Sequence, residues 1–557
     1  MKLSRRDFLK GTAASAVAAG MLGASALADE ELLIAPAPEA AAPKWSWEVK
    51  PDPIPDSEIV GDPIEADVIV IGAGTAGVAA ACSCAENGLS TVVLEKTERP
   101  QGRGGGVGAC NSRLNKQYQE ELGVGLIEPV AAQYRWNRTC GNRNNEALVT
   151  MWFQNSGPAM DWLLDKADKR GCTYGLYAGY SASRIAPEEP DFHTFGGGDF
   201  SAYELASSFV PNALCYADCV DLGVPFYFNT RGEQLLQDEN GRVIGVVAST
   251  EEGYKKFLGK KAVILATGDF HADPEMMDAY CEPFMQEVLK DEYTPAGMDT
   301  GDGDKMGMWV GAVMQDGPMP VALHPQACAW FHGPFMFVNK AGKRFFNEGN
   351  WVQAKSLQML KQPGHYAWSI FDDNYGADTK DSLQYGGGMF WDSMSRNIGQ
   401  EFDVSMIGWT LGFAAMQGFS YQADTLEELA DMLVEAGEID SKETFLESVA
   451  HYNELCEKKV DEDFAKEPEF LYPIVKPPFH ALKAGPAMLA VVGGLKVNTN
   501  LQCIDKDGNA IPGLYATGNN SGDLYAVDYP INMPGNSHGR CITWGWLLGQ
   551  KISALEA

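Results

Sequence analysis

The sequence predicts an α/β protein, and three observations within one stretch of the chain support this prediction. An apolar run over residues 67–71 has the composition of a buried parallel strand. Glycines follow in the spacing G-x-G-x-x-G, at Gly72, Gly74 and Gly77, and small residues then continue at helical spacing. A second apolar strand, 91–94, closes on an acidic residue. Strand, glycine turn, helix and strand in this order indicate a Rossmann-like domain.

The glycine turn has the features that a bound dinucleotide needs. Gly72 permits the tight turn, Gly74 lets the backbone approach a pyrophosphate, and Gly77 lets the helix pack closely on the strand. The helix N-terminus offers N–H groups to phosphate, and an acidic residue at this position accepts hydrogen bonds from a ribose hydroxyl. A glycine-rich turn without a ligand is the alternative, which the complete strand–turn–helix context disfavours. The expected cofactor contacts here are Gly72, Gly74, Thr75, Ala76, Gly77 and Glu95.

The first 28 residues have the pattern of an export signal. Residues 4–10, SRRDFLK, form a twin-arginine pattern, a weakly apolar stretch follows, and Ala26-Leu27-Ala28 fits a cleavage site. We therefore expect a signal peptide over 1–28, a Pro- and Ala-rich linker over 29–64, and the twin-arginine export machinery as a partner. The protein is then expected in the periplasm or on the extracytoplasmic face of the membrane; a basic N-terminal helix is the alternative.

Composition limits the classes of partner. The chain has 557 residues, enough for two or three domains, and a formal net charge of −32, which argues against nucleic acid as a partner. Its 12 cysteines are scattered, without the spacing of a haem-attachment or zinc site. We expect buried free thiols and predict no metal site, and an iron–sulfur cluster built from distant cysteines stays open as an alternative.

Further segments resemble the flavoproteins of the succinate dehydrogenase/fumarate reductase family. Lys96 follows the acidic residue directly, and the sequence RGGG begins at Arg103. Residues 261–268 read KAVILATG, residues 300–303 read TGDG, and residues 513–549 resemble the closing flavin segment of the family. The resemblance implies FAD as the cofactor, with contacts from Lys96, Arg103, Gly104, Gly105, Thr267, Gly268, Asp302, Asn519, Gly535, Asn536 and Ser537.

The same resemblance implies the domain organisation. A discontinuous, Rossmann-like FAD-binding domain is expected over 65–316 and 479–557, with an α+β capping or substrate domain inserted at 317–478. The stretch 111–143 is polar and mixed, and no element is assigned to it. Other predicted elements are strands at 241–249 and 261–268, a β-hairpin at 335–348, and helices at 148–169, 304–310, 425–436, 441–458 and 539–548.

The substrate-binding residues of the fumarate reductases are missing at the corresponding positions. Ala490 stands where the family has a His, Asn532 where it has an Arg, and Asn374 where the proton-donating Arg is expected. Because buried carboxylates need paired cations, fumarate and succinate are not the expected substrates. Aromatic residues are expected to wall a neutral site instead, namely Trp330, Phe331, Trp351, Phe390 and Trp391.

Two residues are candidates for catalysis. The sequence GNNS followed by Tyr529-Pro530 resembles the flavin-linked 3-ketosteroid dehydrogenases, in which a Tyr at this place polarises or protonates the substrate. Tyr529 is therefore expected to supply or share a proton. His193 lies in residues 190–198, PDFHTFGGG, which predict a loop; in the fumarate reductase family a His in a comparable loop contacts substrate. For both residues a packed, structural side chain is the alternative.

These observations predict an exported FAD-dependent reductase of an activated C=C bond. The expected substrate is a small unsaturated molecule, a neutral or mono-anionic enone or enoate, which receives a hydride from the flavin and a proton from a tyrosine. Electrons are expected from a separate donor protein, a membrane-bound or c-type cytochrome, because no NAD(P)H pool exists outside the cytoplasm. The alternatives are a 3-ketosteroid dehydrogenase working in the oxidative direction and a flavin-loaded electron carrier or binding protein without chemistry of its own.

Overall fold

The computed structural model describes residues 44–102, 104–178, 188–288, 297–326, 334–382, 385, 396–401, 403 and 405–555. The chain divides into two compact units, 1–49 and 50–557, and the described part of the first contains one short 3-10 turn, Ser46–Glu48. The predicted signal peptide and residues 29–43 of the predicted linker lie outside the described residues, and residues 44–64 of the linker are described. Among the helices that the structure describes, none is both long and apolar enough to cross a membrane.

The strands of the second unit form three sheets. In chain order they are β1 (Ile64–Ile71), β2 (Thr91–Leu94), β3 (Gly106–Gly108), β4 (Cys172–Leu176), β5 (Phe192–Gly197), β6 (Phe226–Tyr227), β7 (Arg231–Gln237), β8 (Val243–Thr250), β9 (Gly253–Leu265), β10 (Val321–Gln326), β11 (Met336–Val338), β12 (Ala367–Phe371), β13 (Ser420–Ala423), β14 (Phe479–Val491), β15 (Gln502–Ile504) and β16 (Ala510–Ala516).

The α-helices alternate with these strands in the first half of the chain and cluster around the second sheet later. They are α1 (Thr75–Glu86), α2 (Arg113–Leu122), α3 (Pro129–Thr139), α4 (Glu146–Lys169), α5 (Val210–Asp221), α6 (Pro274–Tyr280), α7 (Asp302–Trp309), α8 (Val352–Leu360), α9 (Tyr375–Ser382), α10 (Ser405–Met416), α11 (Leu426–Glu435), α12 (Lys442–Lys458) and α13 (Asn536–Ser553).

The first sheet has eight strands and confirms the predicted α/β class. Its strand order is β15-β16-β9-β1-β2-β6, and β7 and β8 extend it from β9. The central strand β1 pairs in parallel with β2 and β9, and its residues Val68, Ile69 and Val70 are fully buried. Burial on both faces explains why this strand is a continuous apolar run rather than an alternating one. The glycine turn connects β1 directly to α1, as predicted.

The second sheet is antiparallel and belongs mostly to the predicted capping domain. Its order is β10-β14-β12-β11, with β13 also paired to β14. The predicted helices 425–436 and 441–458 appear as α11 and α12, and they cover this sheet through Leu429, Leu433, Phe445 and Val449. We expect the chain to return to the FAD-binding domain after residue 478. The long strand β14 begins there, but it pairs with the second sheet as far as Val491. The chain rejoins the first sheet only at β15.

Two local predictions differ from the structure. Residues 190–198, predicted as a loop, contain β5, the middle strand of a small antiparallel sheet in the order β3-β5-β4. The predicted hairpin at 335–348 keeps its turn, but its strands meet only at the bridge between Val338 and Arg344, and β11 pairs with β12 instead. In both cases the pairing partner is distant in sequence or short, so local pattern does not reveal it.

The unassigned stretch 111–143 contains two capped helices. Ser112 caps α2, where its side chain accepts from the backbone N–H groups of Leu114 and Asn115, and Glu128 caps α3 ahead of a proline at the first helical position. These are ordinary helix-start signals, which the polar composition of the helices concealed. Both helices are needed to hold the segments behind the site described below.

The last helix, α13, packs against α1 with almost no side chain between their backbones. A Cβ at Gly549 would lie 2.4 Å from the carbonyl carbon of Ser83, and a Cβ at Gly545 would lie 2.7 Å from the Cβ of Ala79. Both distances are shorter than real contacts, so only glycine permits this approach. The packing fixes the position of α13 relative to the first βαβ unit.

Gly549→Ala is therefore expected to destabilise the protein by about 1–3 kcal/mol, because α13 must move away from α1 to accommodate the methyl group. The measurement is the thermal midpoint of unfolding, followed by far-UV circular dichroism. Gly412→Ala is the matched control: Gly412 also lies inside a helix, α10, and nothing approaches its Cβ position within 4 Å. Equal midpoints for the two variants would contradict the packing argument.

Candidate functional site

A cavity of about 600 Å³ lies at the carboxyl ends of β1, β2 and β9 and extends to β10 and β14 of the second sheet. This is the edge at which ligands bind in open parallel sheets. Most of the predicted site residues line it: Gly72, Gly74, Thr75, Ala76, Glu95, Lys96, Gly104, Gly105, Thr267, Gly268, Asp302, Asn519, Tyr529, Gly535 and Ser537. Gly77, His193 and Asn536 do not line it, and Arg103 lies outside the described residues.

The three glycines of the turn have different roles. Gly72 has φ +104°, and a Cβ there would lie 2.3 Å from the carbonyl oxygen of Ala266. A Cβ at Gly77 would lie 1.9 Å from the carbonyl oxygen of Gly72, so this glycine serves the packing of α1 on β1. Gly74 is open, with the nearest atom 3.8 Å from its Cβ position, and it faces the cavity at the start of α1. A ligand can therefore approach the backbone at Gly74.

Glu95 is held in a defined orientation at the end of β2. One carboxylate oxygen accepts from the backbone N–H of Ala73 at 2.8 Å, and the other accepts from the N–H and hydroxyl of Thr97 at 2.9 and 2.8 Å. The residue is buried and lines the cavity. Because each carboxylate oxygen has two acceptor positions, Glu95 retains acceptor capacity for a ligand hydroxyl.

Lys96, Arg231 and Asp302 form a charged cluster at the same end of the cavity. Asp302 accepts from Arg231 at 2.8 Å and from Lys96 at 3.1 Å. Burial would raise the pKa of Asp302, but the hydrogen bond of Arg231 and the charges of Arg231 and Lys96 lower it to about 2. The carboxylate expected to hold a ribityl chain is thus already paired with two cations, of which Arg231 was not predicted.

Thr267, which with Gly268 follows β9, is hydrogen-bonded to the C-terminal part of the chain. Asn520 accepts from the backbone N–H of Thr267 at 2.5 Å and donates to Asp304 at 3.1 Å. Its neighbour Asn519 lines the cavity, donates to Asp269 at 3.3 Å and accepts from Arg540. Asn519 was the predicted contact in this GNNS segment, and the structure adds Asn520 as the residue that joins the two parts of the first sheet.

Tyr529 lines the cavity beside the N-terminus of α13. Gly535 precedes the helix with φ +75°, and the backbone N–H of Ser537 donates to the Tyr529 hydroxyl at 3.0 Å. Burial raises the pKa of Tyr529, so the phenol keeps its proton. Asn536 turns away and donates to the carbonyl oxygens of Pro530 and Met533 at 3.1 and 2.6 Å, which holds the turn before the helix.

His193 is occupied by protein contacts on β5. Its Nδ1 donates to the carbonyl oxygen of Asp191 at 2.7 Å, and Nε2 lies 2.7 Å from the Ser112 hydroxyl. The side chain is fully buried, and burial lowers its pKa to about 4. The neighbouring Phe192 lines the cavity instead. Strand alternation explains this difference from the predicted loop, because adjacent residues of β5 point to opposite faces.

We call the part of the cavity that is lined by β10, β14 and the residues around Tyr529 its inner end. Among the described residues that line it there is neither lysine nor arginine, and Ala490 forms part of the wall. Of the predicted aromatic wall, Trp351 does not line it, and the other four residues are outside the described chain. Besides Tyr529, the lining consists of Tyr177, Glu188, Phe192, Ala322, His324, Val352, Leu489, Ala490, Val492, Ile531 and Pro534.

The cofactor end fits a dinucleotide. An open backbone at Gly74 at the N-terminus of α1 suits a pyrophosphate, and the oriented Glu95 carboxylate suits a ribose hydroxyl. A second helix N-terminus, at α13, reaches the cavity through Gly535 and Ser537. Bound FAD would supply hydride transfer at this site.

Comparisons with known proteins agree with this geometry. Residues 67–531 match the FAD binding domain family, and residues 2–26 match the signal sequence of the twin-arginine translocation pathway. The chain is 26% identical to the vinyl phenol reductase of Lactiplantibacillus plantarum, over 87% of this chain and 95% of that protein. It is also 26% identical to a fumarate reductase (cytochrome) of Shewanella frigidimarina, over 87% and 77% of the two chains.

The fold is shared with a steroid enzyme. The crystal structure of 3-ketosteroid-Δ4-(5α)-dehydrogenase from Rhodococcus jostii RHA1 superposes with a TM-score of 0.66 at 20% identity, over 90% of this chain and 99% of that one. The match to the FAD binding domain family confirms the predicted cofactor, and the match to the twin-arginine signal sequence confirms the predicted export. The chain belongs to the FAD binding domain family, as an exported FAD-dependent oxidoreductase of the succinate dehydrogenase/fumarate reductase type with similarity to 3-ketosteroid dehydrogenases.

Proposed function

We propose that this flavoprotein reduces an activated C=C bond in a small neutral or mono-anionic enone or enoate. The observation that carries the proposal is the buried Tyr529 phenol, which receives a hydrogen bond from Ser537 beside a cavity end without described lysine or arginine. The names of two relatives, a vinyl phenol reductase and a fumarate reductase, describe reductases of unsaturated compounds and support the reaction type.

The lining of the inner end supports an uncharged reacting group. A dicarboxylate buried there would need cations, because an unpaired buried charge is strongly unfavourable. The cations that line the described cavity, Lys96 and Arg231, are paired with Asp302 at the cofactor end. Apolar side chains such as Leu489, Val492 and Ile531 suit a hydrocarbon or aromatic substrate.

Tyr529 is proposed to activate the substrate. Its hydroxyl oxygen accepts from the Ser537 N–H, which leaves the phenol hydrogen for a carbonyl oxygen or the α-carbon of the substrate. The same N–H stabilises negative charge that develops on the phenol oxygen. Electrons are proposed to come from a separate donor protein, since the export signal sends the enzyme to a compartment without NAD(P)H.

The first test of the function is anaerobic. The purified protein is reduced with dithionite, and the oxidised-flavin absorbance is followed after addition of single enones, enoates or fumarate. Rapid reoxidation by a neutral or mono-anionic compound, with fumarate inert, is the expected result. Reoxidation by fumarate would contradict the proposed substrate class, and reduction of the oxidised flavin by a saturated 3-ketosteroid would favour the dehydrogenase alternative.

Tyr529→Phe is expected to slow this reoxidation at least about 100-fold, because the variant lacks the acidic hydrogen. Tyr525→Phe is the matched control. Tyr525 is also fully buried, stacks on Trp136 at 5.5 Å and does not line the cavity, and its hydroxyl has no hydrogen-bond partner among the described residues. If both variants keep the wild-type rate, Tyr529 is not the activating residue.

Glu95 is proposed to bind the FAD ribose. Glu95→Gln is expected to weaken FAD binding about 10-fold or more. The ribose hydroxyl loses a charged acceptor, and the new side-chain NH₂ group faces a backbone N–H donor, with which it cannot form a hydrogen bond. The measurement is fluorescence titration of the apoprotein with FAD. Glu98→Gln, three residues along at an exposed position, is expected to bind FAD like the wild type; equal affinities for all three proteins would overturn the assignment.

A further inference from the structure

We propose that Glu188 is a second catalytic acid of this site, which donates the proton to the α-carbon while Tyr529 hydrogen-bonds the activating carbonyl. This inference rests on the proposed reduction of a C=C bond and divides its two acidic tasks between two residues. Neither the sequence motifs nor the family resemblance pointed to Glu188.

The Glu188 side chain lines the cavity and has no hydrogen-bond partner among the residues that the structure describes. The residue is only 9% exposed and lines the inner end of the cavity. Among the described residues, Lys355 acts on this carboxyl through its charge and not through a hydrogen bond. Leaving a carboxyl buried without a partner is costly, and such groups in native proteins are commonly completed by a ligand. A substrate in the inner end is the ligand that this position can reach.

The backbone that carries Glu188 is firmly held next to the Tyr529 segment. The N–H of Glu189 donates to the carbonyl oxygen of Asn532 at 2.8 Å, three residues after Tyr529. The Glu189 side chain pairs with Arg135 on α3. One residue further, the carbonyl oxygen of Pro190 accepts from Asn115 at 2.8 Å. The carboxyl is thus presented by an anchored segment, as a catalytic group requires.

The surroundings of Glu188 favour its protonated form. Burial raises the pKa of Glu188 to about 8, and the positive charge of Lys355 on α8 opposes this rise. Burial lowers the pKa of Lys355 itself to about 7. Other titratable groups nearby are Asp191, whose pKa burial and the charge of Glu188 raise, and His324, which lines the same cavity and whose pKa burial lowers to about 3. A general acid works best when its pKa is near the working pH. Tyr529 does not meet this condition, since burial raises its pKa further above the ordinary phenol value.

The proposed step balances in electrons and protons. The β-carbon receives the hydride that reduced FAD supplies when bound, and this hydride brings both electrons. The π-bond electrons form the new bond between the α-carbon and the proton of Glu188, which is left as a carboxylate. Tyr529 keeps its proton and donates a hydrogen bond to the carbonyl oxygen. The carboxylate regains a proton from water after the product leaves, and Lys355 stabilises the carboxylate when its amino group is protonated.

The test compares Glu188→Gln with Glu98→Gln, a change at an exposed position outside the cavity lining, in the dithionite-reduced protein, with the compound that reoxidises the wild type fastest. Glu188→Gln is expected to slow reoxidation about 100-fold or more, since an amide does not donate a proton to carbon. The wild-type rate is expected to fall as the pH rises through about 8, and the variant is expected to lose this dependence. Glu188→Asp, which keeps a carboxyl, should recover part of the rate, and Glu98→Gln should resemble the wild type.

A second readout needs no substrate. Infrared spectra of the oxidised holoprotein should contain a protonated-carboxyl band that disappears as the pH rises through about 8 and is missing from Glu188→Gln. A wild-type rate in Glu188→Gln, an equal loss in Glu98→Gln, or the absence of this band would each overturn the inference. If no alkene reoxidises the wild type, the proposed function fails, and the infrared titration still decides whether Glu188 holds a proton at neutral pH.

Discussion

Contact between backbones, with no side chain between them, is the constraint on which the site depends. Gly77 lets α1 rest on the turn at Gly72, and Gly545 and Gly549 let α13 rest on α1. Two helices with no side-chain cap at Gly74 and at Gly535 therefore begin at the same cavity. The N-terminus of α1 offers free N–H groups and positive partial charge to the cavity, and at the N-terminus of α13 the Ser537 N–H donates to the Tyr529 phenol. Any side chain at these glycines would separate the helices that form the site.

The charges of the cavity are distributed unequally, and this distribution separates the cofactor end from the inner end. Lys96 and Arg231 converge on Asp302 beside the Rossmann turn, so positive charge is concentrated where phosphates and ribose are expected. Besides tyrosines, the titratable groups in the described lining of the inner end are Glu188 and His324. Burial raises the pKa of Glu188 and lowers the pKa of His324, so it favours the neutral form of both side chains. A low-dielectric, uncharged end strengthens hydrogen bonds to a substrate and disfavours anions.

Sequence reasoning succeeded where the signal was local. The turn at Gly72 to Gly77, the strand before it and the acidic Glu95 after it are contiguous, and their spacing is dictated by one ligand. It failed where pairing is long-range: β14 looked like a return to the first sheet, although its partners are β10 and β12. His193 was assigned to a loop for the same reason, since the strands that make β5 a strand lie on either side of it in space.

The sequence by itself determined the fold class, the cofactor and the export signal, because each depends on short motifs whose geometry is built into consecutive residues. It also made Tyr529 a candidate through its distance from the GNNS segment, and this residue lines the cavity. Only the tertiary structure decided which acidic side chains line the cavity beside it. His193 and Glu188 are five residues apart, yet the first is tied to Ser112 and Asp191 while the second faces the cavity. Strand alternation in β5 orients His193, and the distant segment at Asn532 holds the backbone next to Glu188. The order of residues along the chain shows neither contact.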